Sequence, residues 1–285
     1  MGVLYVVATP IGNLEDITLR ALRVLREAKL VAAEDTRTTA KLFARHGIHT
    51  PMVSLYEHNE LTRLDEVLRA LQAGDVALVS EAGTPTISDP GYRLVRAAVG
   101  HRVPVVPVPG PSAVLAALAV SGLPTDSFLF IGFLPRRRAA RRRKLTAIRE
   151  HPHTLVCFES PHRLVAALRD IEEALGDREM AVACELTKLY EDVWRGTARN
   201  AVAHFGAGKP RGEFTLVIAG NPGDEPLAWE EARVRQALAR LIEEGASRRD
   251  AAASVAQIAG WPKRRVYQLA APYAKPEEGE VESHA

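Results

Sequence analysis

Short apolar runs alternate with amphipathic stretches along this chain, and this alternation constrains its fold more than any other feature. Apolar runs of about four to eight residues between turn residues indicate buried strands, and apolar positions at helical spacing indicate helices. The two patterns alternate from residue 3 to residue 122. The sequence therefore predicts an α/β fold with a largely parallel sheet.

The first part of the chain contains four predicted strands and five predicted helices. Prolines interrupt the last strand, so it is expected near an edge or end of the sheet. The last helix carries no charged residue, which predicts that it is buried. The strands are 3–8, 30–34, 76–80 and 103–109, and the helices are 16–29, 37–47, 59–74, 90–100 and 111–122.

The pattern becomes richer in strands after the segment GLPTDSF, which has the composition of a joint between domains. One helix among several strands predicts a mixed sheet. The predicted strands are 128–133, 154–159, 180–186, 190–197 and 212–220, with a helix at 162–176. The expected domains are an N-terminal α/β domain at 1–121, a C-terminal α/β domain at 122–223 and a helical appendix at 227–272, followed by a disordered tail at 273–285.

The appendix begins with the helical segment WEEARVRQALARLIEEG, and its last part has a helix, the turn GWP and a basic helix. This is the outline of a helix-turn-helix, and a plain helical hairpin closing the domain fits the pattern equally well.

Composition places the chain among ordinary globular proteins, since 47% of its 285 residues are hydrophobic and its net charge is only +2. The apolar runs are too short to span a membrane, and the opening segment MGVLYVVATP indicates a strand and not a signal peptide. Cys157 and Cys184 both lie in apolar runs, which favours free thiols over a disulfide. The cytoplasm is the expected compartment.

Several common chemistries have no motif in this sequence. The phosphate-binding loop, the dinucleotide fingerprint and the hydrolase nucleophile elbow are all missing. The nine histidines are scattered without the Cys/His spacing of a zinc site, so no metal is predicted.

Three loops rich in glycine and proline follow three of the predicted strands. They are ATPIGN at 8–13, SEAGTPTISDPG at 80–91 and PVPGPSA at 107–113. Because ligands of open α/β sheets bind at the carboxyl ends of strands, the loops should converge on one crevice. They carry no lysine or arginine, which disfavours a triphosphate and suits a ligand such as a nucleoside. The alternative is that they are simply tight turns.

Basic residues concentrate in two places. The segment 136–144 holds seven basic side chains in nine residues, and a second cluster comprises SRRD and PKRR near the C-terminus. Closely spaced like charges favour a polyanionic partner, so the first run is expected to bind RNA phosphates. Because the run follows the segment GFLP, it is expected to begin as a mobile loop. A solvated helix start is the alternative. The expected RNA-binding residues are Arg136, Arg137, Arg138, Arg141, Arg142, Arg143 and Lys144.

Specific motifs along the chain resemble a known family. In order they are LYVVATPIGNLEDITLRAL, AAEDTR, HNE, ALVSEAGTPTISDPGYRLV, VVPVPGPSAVLAALAVSGLPTDSF, GFLPRR, FESPHRL and ELTKLYEDVWRGT. This set is similar to the S-adenosylmethionine-dependent tetrapyrrole methylase superfamily, and within it to the branch that modifies small-subunit ribosomal RNA. One position departs from the usual Ser-Asp-Ala-Gly of the family loop, because Glu81 takes the acidic place.

The resemblance implies a two-domain fold with S-adenosylmethionine in the cleft between the domains. It also implies 2′-O-methylation of a cytidine ribose in the decoding region of the ribosomal RNA, in an assembled subunit. Because the family commonly dimerises, a homodimer is expected, with helix 111–122 near its interface. The cofactor-binding residues implied are Pro10, Ile11, Gly12, Ser80, Ala82, Gly83, Thr84, Pro85, Ser112, Ala113, Phe158, Glu159, Leu186 and Thr187.

A general base could assist the attack of a ribose hydroxyl on the sulfonium methyl group. The candidates are Glu81, Asp89 and Glu185, with Lys188 or Arg37 stabilising the developing oxyanion. For Asp89 the alternative is a helix N-cap before Pro90, and for Arg37 it is an ion pair with Asp35.

Two other functions remain open at this stage. The same scaffold could methylate a small tetrapyrrole-like substrate, although a long cationic run does not suit a macrocycle. A non-catalytic RNA-binding assembly factor would leave the glycine- and proline-rich loops unexplained.

Overall fold

The computed structural model describes residues 2–221 and 229–271, which form ten strands and eleven α-helices. The strands are β1 (Leu4–Val7), β2 (Leu30–Ala33), β3 (Met52–Ser54), β4 (Val76–Val79), β5 (Val105–Val108), β6 (Phe128–Phe133), β7 (Thr154–Glu159), β8 (Glu179–Cys184), β9 (Asp192–Thr197) and β10 (Phe214–Ile218). The helices are α1 (Leu19–Glu27), α2 (Thr36–His46), α3 (Glu60–Ala73), α4 (Tyr92–Gly100), α5 (Ala113–Ser121), α6 (Arg138–Ala147), α7 (Leu164–Leu175), α8 (Ala198–Gly206), α9 (Glu231–Glu243), α10 (Arg248–Ala259) and α11 (Lys263–Leu269).

The first five strands form one parallel sheet in the order β3-β2-β4-β1-β5. The expected parallel sheet is confirmed, and the proline-containing β5 is an edge strand as predicted. The central strand β4 is buried along its whole length, which accounts for its continuous apolar sequence. Since all five strands run the same way, their carboxyl ends lie at one edge of the sheet.

The other five strands form a mixed sheet in the order β6-β7-β10-β8-β9. Only the β6–β7 pair is parallel, and the remaining pairs are antiparallel. The mixed sheet is therefore also confirmed. Helices α6, α7 and α8 cover one face, and their core includes Leu145, Leu168 and Ala201.

Helix α5 covers the opposite face of the mixed sheet. Val114, Ala117 and Leu118 pack against apolar side chains of β7, β8 and β10. Leu115 and Val120 are exposed on the other side of the helix, so the expected burial holds for one face only. Ser112 caps the helix by accepting a hydrogen bond from the Leu115 N–H. The helix that follows the parallel sheet thus belongs to the core of the mixed sheet.

A second compact unit begins at Asn221. In its described part, α9, α10 and α11 enclose a separate apolar core that includes Val234, Leu238, Val255 and Val266. The turn GWP separates α10 from α11, as the sequence predicted. The disordered tail expected at 273–285 lies outside the described residues.

The environment of the cysteines agrees with the prediction. Cys157 and Cys184 are free thiols, the first buried and the second half-buried. Burial raises the pKa of both thiols. No helix in the described part of the chain is long and apolar enough to cross a membrane.

Candidate functional site

A cavity of about 680 Å³ opens between the strand-end loops of the parallel sheet and the edge of the mixed sheet. Its volume lies within the usual range for small-molecule sites. Most of the residues predicted to form a site line it together. They are Pro10, Ile11, Gly12, Glu81, Ala82, Gly83, Thr84, Asp89, Ser112, Ala113, Phe158, Glu159, Leu186 and Lys188.

Backbone contacts hold the three predicted loops together. The Thr9 N–H donates to the Gly83 carbonyl at 2.8 Å, and the Gly83 N–H donates back to Thr9 at 2.9 Å. The Thr84 hydroxyl donates to the Pro111 carbonyl at 3.3 Å. The convergence expected at the carboxyl ends of the strands is therefore observed, and it excludes three independent turns.

The loop after β1 also contacts the loop after β8. The Asn13 N–H donates to the Thr187 hydroxyl at 3.1 Å. A Cβ atom at Gly12 would come within 2.8 Å of the same hydroxyl and still closer to the Lys188 side chain. Gly12 thus allows the close approach of two loops that are far apart in the sequence.

Backbone strain concentrates in the loops after β4 and β8. Among the described residues, five non-glycine residues have positive φ angles. Thr86 and Ser88 lie in the loop after β4, and Glu185 and Thr187 lie in the loop after β8. Left-handed conformations of non-glycine residues cost about 1–3 kcal/mol and tend to occur at functional sites. The length of the loop after β4 therefore serves to shape the wall of the cavity.

Several predicted residues lie outside the cavity wall. Ser80 is buried beneath the loop, where its hydroxyl is 3.2 Å from the Ala82 carbonyl. Pro85 is buried and Thr187 bridges two loops. Arg37 forms an ion pair with Asp35 at 2.8 Å, and its side chain is 88% exposed. Asp35 is also the N-cap of α2. The geometry thus matches the alternative interpretation of Arg37, an ion pair with Asp35.

Three carboxylates form an acidic part of the wall. Glu34 follows β2, and its Oε2 accepts a hydrogen bond from the Glu81 N–H at 3.0 Å. The Thr38 hydroxyl is 3.5 Å from Glu81 Oε1. Asp89 lines the same cavity. Burial raises the pKa of Glu34, and the neighbouring carboxylates of Glu81 and Asp35 add to this rise.

Asp89 does not cap the helix that follows it. Helix α4 begins at Tyr92 with Gly91 as its N-cap, and the first N–H groups donate to the buried Glu60 carboxylate. Burial raises the pKa of Asp89 to about 7, and the nearby carboxylate of Glu34 contributes to the rise. A carboxyl group with this pKa can exchange a proton near neutral pH.

Lys188 and Glu185 form a separate charged network. The Lys188 Nζ lies 2.9 Å from Glu185 Oε1 and 3.0 Å from Glu213 Oε2. Burial lowers the pKa of Lys188, but these hydrogen bonds outweigh it and leave the pKa above its usual value. The bond from Lys188 lowers the pKa of Glu185, so this carboxylate stays ionised. Glu185 is therefore less suited than Asp89 to accept a proton.

Phe158 and Glu159 differ in their surroundings although both end β7. The Phe158 ring lies 5.4 Å from the Phe133 ring, and both rings line the cavity. The Glu159 side chain is fully buried and pairs with Arg163. Its Oε1 also accepts a hydrogen bond from the Ser160 N–H at 2.8 Å. Arg163 thus compensates the charge of Glu159 from within the domain, and a contact between Glu159 and the cofactor stays a prediction.

The basic run is helical after its first two residues. Arg136 and Arg137 precede α6, and the rest of the run lies in this helix, which fits the alternative of a helix start. Arg141 is buried, and its Nε donates to Asp170 at 2.7 Å. Arg138 shares Asp170, and Arg142 pairs with Glu173.

The Lys144 Nζ, at the end of this run, donates to the Ile131 carbonyl at 2.6 Å. Because the Arg141 side chain is buried and paired with Asp170, it is not available to bind RNA. The exposed side chains of Arg136, Arg137 and Arg143 form no ion pair with any described residue.

The structure also adds residues that the sequence interpretation missed. Glu34 and Thr38 come from the motif AAEDTR and the helix that follows it, and Phe133 comes from the motif GFLPRR. Glu34 and Phe133 end predicted strands and Thr38 lies shortly after one, so the rule that placed the other three loops could have found them. The wall also includes Gly212, Glu213 and Thr215 at the start of β10, for which no local pattern exists.

Comparison with known proteins gives the family. A family model described as Tetrapyrrole (Corrin/Porphyrin) Methylases matches residues 3–202, and one described as RsmI C-terminal HTH domain matches residues 228–271. A Synechocystis protein named ribosomal RNA small subunit methyltransferase I is 46% identical over 271 residues, which are 94% of this chain and 97% of the relative. The protein of that name from Micromonospora olivasterospora is 48% identical over 270 residues, or 94% of this chain and 86% of the relative.

A solved structure supports the same fold. Uroporphyrin-III C-methyltransferase from Thermus thermophilus, complexed with S-adenosylhomocysteine, matches with a TM-score of 0.53. The match covers 76% of this chain and 97% of the other at 23% identity. Because the family model and the two relatives cover most of the sequence, the chain belongs to the tetrapyrrole methylase family of S-adenosylmethionine-dependent methyltransferases and, within it, to the ribosomal RNA small subunit methyltransferase I family.

Proposed function

We propose that this protein transfers the methyl group of S-adenosylmethionine to the 2′-hydroxyl of a cytidine ribose in small-subunit ribosomal RNA, in the decoding region. The names of its relatives support ribosomal RNA as the substrate. The choice of a hydroxyl as methyl acceptor rests on Asp89. Its carboxyl group has a pKa of about 7 and lies in the cavity wall with other carboxylates.

The residues of the cavity fit S-adenosylmethionine. The wall combines apolar side chains with the carboxylates of Glu34, Glu81 and Asp89, which suits a ligand that carries a sulfonium and an ammonium group. Lys188 is the single lysine or arginine among the described wall residues, and two carboxylates compensate its charge. When bound, the cofactor supplies an electrophilic methyl group. Pro10, Gly12 and Ser112, from loops held by backbone contacts, would position it.

Asp89 is the proposed general base. A ribose hydroxyl is a very weak acid, so its attack gains from a proton acceptor in the same cavity. The ionised Asp89 carboxylate would take the hydroxyl proton as the methyl group passes from the sulfonium sulfur of the cofactor to the ribose oxygen. Glu81 and Glu34 keep the surroundings negative, which raises the affinity of Asp89 for that proton. A general base typically contributes about 10²- to 10⁴-fold to the rate, and positioning supplies much of the rest.

Arg136, Arg137 and Arg143 are the proposed contacts to RNA phosphates in the first unit. Their side chains are exposed and lie on or just before α6. The strand that precedes α6 in the chain, β6, ends with the cavity residue Phe133. Exposed guanidinium groups bind phosphate oxygens without regard to base, so the assembled subunit would supply selectivity for one cytidine. We place the reaction in the cytoplasm, where both thiols remain reduced.

A homodimer is part of this proposal. Leu115 and Val120 are exposed by 56% and 43% on the free face of α5. Apolar side chains on one helix face favour contact with a second copy of the chain. Sedimentation should then show a dimer that Leu115→Lys converts to monomer, and a wild-type monomer would contradict this part.

Transfer of a labelled methyl group tests the proposed function. The acceptors would be assembled small subunits that lack their methylations, protein-free small-subunit RNA and a tetrapyrrole precursor. Label in the subunit RNA is the expected result, with Asp89→Asn as the inactive comparison. Label in the macrocycle would reject RNA as the substrate. Binding of the cofactor without any transfer would favour an assembly factor.

A further inference from the structure

The second basic cluster of the sequence lies in the C-terminal unit and plays no part in the proposed chemistry. The described residues 229–271 contain eight lysines and arginines and five acidic residues. All five acids belong to α9, its flanks or the first turn of α10. Helix α11, in contrast, begins with Lys263, Arg264 and Arg265 and contains no acidic residue. Positive charge is therefore concentrated at one end of this unit.

The basic residues of α9 are compensated, whereas those at the start of α11 are not. Arg235 pairs with Glu231 at 2.7 Å, and Arg240 pairs with Glu244 at 2.8 Å. Lys263 and Arg264 are exposed and form no ion pair or hydrogen bond through their side chains with any described residue. Adjacent uncompensated cations repel one another, and a polyanion relieves that repulsion.

An exposed aromatic ring lies within this charged surface. Tyr267 is 44% exposed, and helical spacing places it on the same face as Lys263 and Arg264. Arg248, from the start of α10, lies over the Tyr267 ring at 5.5 Å from its centroid. The opposite face of α11 is fixed in the core by the buried Val266. The surface is thus rigidly supported and combines cations with a ring that can stack on a base.

We propose that Lys263, Arg264, Arg248 and Tyr267 form a second RNA-binding surface, which engages an unpaired stretch of the substrate RNA. Lysine and arginine bind backbone phosphates, and an exposed tyrosine stacks on unpaired bases in a sequence-tolerant way. Single-stranded RNA fits this surface better than duplex DNA because a paired base offers no free face to Tyr267. The proposal rests on RNA being the substrate, and it assigns the C-terminal unit to affinity and not to catalysis.

Matched variants of the full-length protein test this surface. Lys263→Gln/Arg264→Gln removes two charges from α11, and Arg235→Gln/Arg240→Gln removes two compensated charges from α9 of the same unit. Binding of protein-free small-subunit RNA would be measured from about 50 to 200 mM salt, because each lost phosphate contact lowers the salt slope by about 1. The α11 variant should lower the slope by about 2 and weaken binding on the order of tenfold, while the α9 variant matches wild type.

Tyr267→Leu and Tyr267→Phe test the stacking component. The leucine variant should bind single-stranded RNA more weakly, and the phenylalanine variant should retain wild-type affinity. S-adenosylmethionine binding by calorimetry should be unchanged in every variant, which confirms that the first unit is intact.

The outcomes separate this inference from the proposed function. Equal salt slopes for the α11 and α9 variants would overturn the second surface while leaving RNA methylation in place. A preference of the wild-type protein for duplex DNA over single-stranded RNA would also overturn it. Failure of the wild-type protein to bind ribosomal RNA at all would reject both.

Discussion

Asp89 is the residue on which the proposed chemistry depends most. Replacing it with asparagine keeps the shape of the side chain and removes the proton acceptor. We expect the Asp89→Asn variant to lose about 10²- to 10⁴-fold in methyl transfer. Cofactor affinity measured by calorimetry should fall far less than the rate, because Glu34 and Glu81 remain in the cavity wall. In wild type, kcat/KM should rise with pH around a midpoint near 7, following the pKa of the free enzyme. Retention of full activity by Asp89→Asn would remove Asp89 from the mechanism.

The same residue makes a prediction about stability. The pKa of Asp89 rises from 3.8 in the unfolded chain to about 7 in the folded protein, so between these values only the folded protein keeps the proton. The free energy of unfolding of wild type should therefore fall, relative to Asp89→Asn, as pH rises from about 4 to 7. Urea denaturation of both cofactor-free proteins across this range measures the difference. A pH-independent difference would mean that burial does not perturb this carboxyl group.

The position of Asp89 in the site could be predicted from the sequence, but its role could not. The loop after a buried strand predicted its position at the carboxyl edge of the sheet. The dipeptide Asp-Pro, however, also predicted a helix cap, and the two interpretations compete locally. Glu60, from a distant helix, resolves them by capping α4 itself. The pKa of Asp89 likewise depends on Glu34, which only tertiary folding brings near.

At the level of elements, α6 and α7 are joined by a buried ion pair. Arg141 and Asp170 have side chains that are 5% and 1% exposed. Arg141→Met removes one partner and leaves a buried carboxylate with Arg138 alone, which should cost about 3 kcal/mol of the free energy of unfolding. Arg143→Met, on the exposed part of the same helix, should change it by less than about 0.5 kcal/mol. Chemical denaturation compares the two, and equal effects would contradict a structural role for Arg141.

The contact between the loops after β1 and β8 gives a second prediction at this scale. Gly12→Ala would force the added methyl group against Thr187 and Lys188, and so would displace two loops that line the cavity. We expect at least about tenfold weaker cofactor binding, equivalent to about 1.4 kcal/mol. Gly100→Ala is the matched control, because a Cβ atom there meets nothing within 4 Å. If calorimetry gave the same affinity for both variants, the close approach at Gly12 would be irrelevant to binding.

Elements with a strong local pattern were predictable, and those defined by distant contacts were not. The apolar runs of β4 and β7 and the caps of α2 and α5 appear in the sequence itself. Strand β3 has only three residues, and α8 follows β9 without a turn signal, so both were missed. The basic run was misinterpreted in part because its acidic partners, Asp170 and Glu173, lie on α7.

At the scale of the whole molecule, the protein combines a cavity for the cofactor with two basic surfaces that we propose bind one RNA. The acidic cavity and the exposed cations lie on different residues, so chemistry and affinity should respond to different substitutions. Variants of the cavity wall should lower kcat with little effect on RNA binding. Variants of the basic surfaces should raise KM for RNA and leave cofactor affinity unchanged.

Mapping the transferred methyl group within the RNA tests the central claim most directly. Small subunits lacking their methylations would be treated with the protein and S-adenosylmethionine, and their RNA would then be partially hydrolysed in alkali. A 2′-O-methyl group blocks cleavage at its own nucleotide, so the account predicts a single missing band at a cytidine of the decoding region. That band should return with Asp89→Asn. A complete ladder together with a methylated base would contradict transfer to a ribose hydroxyl.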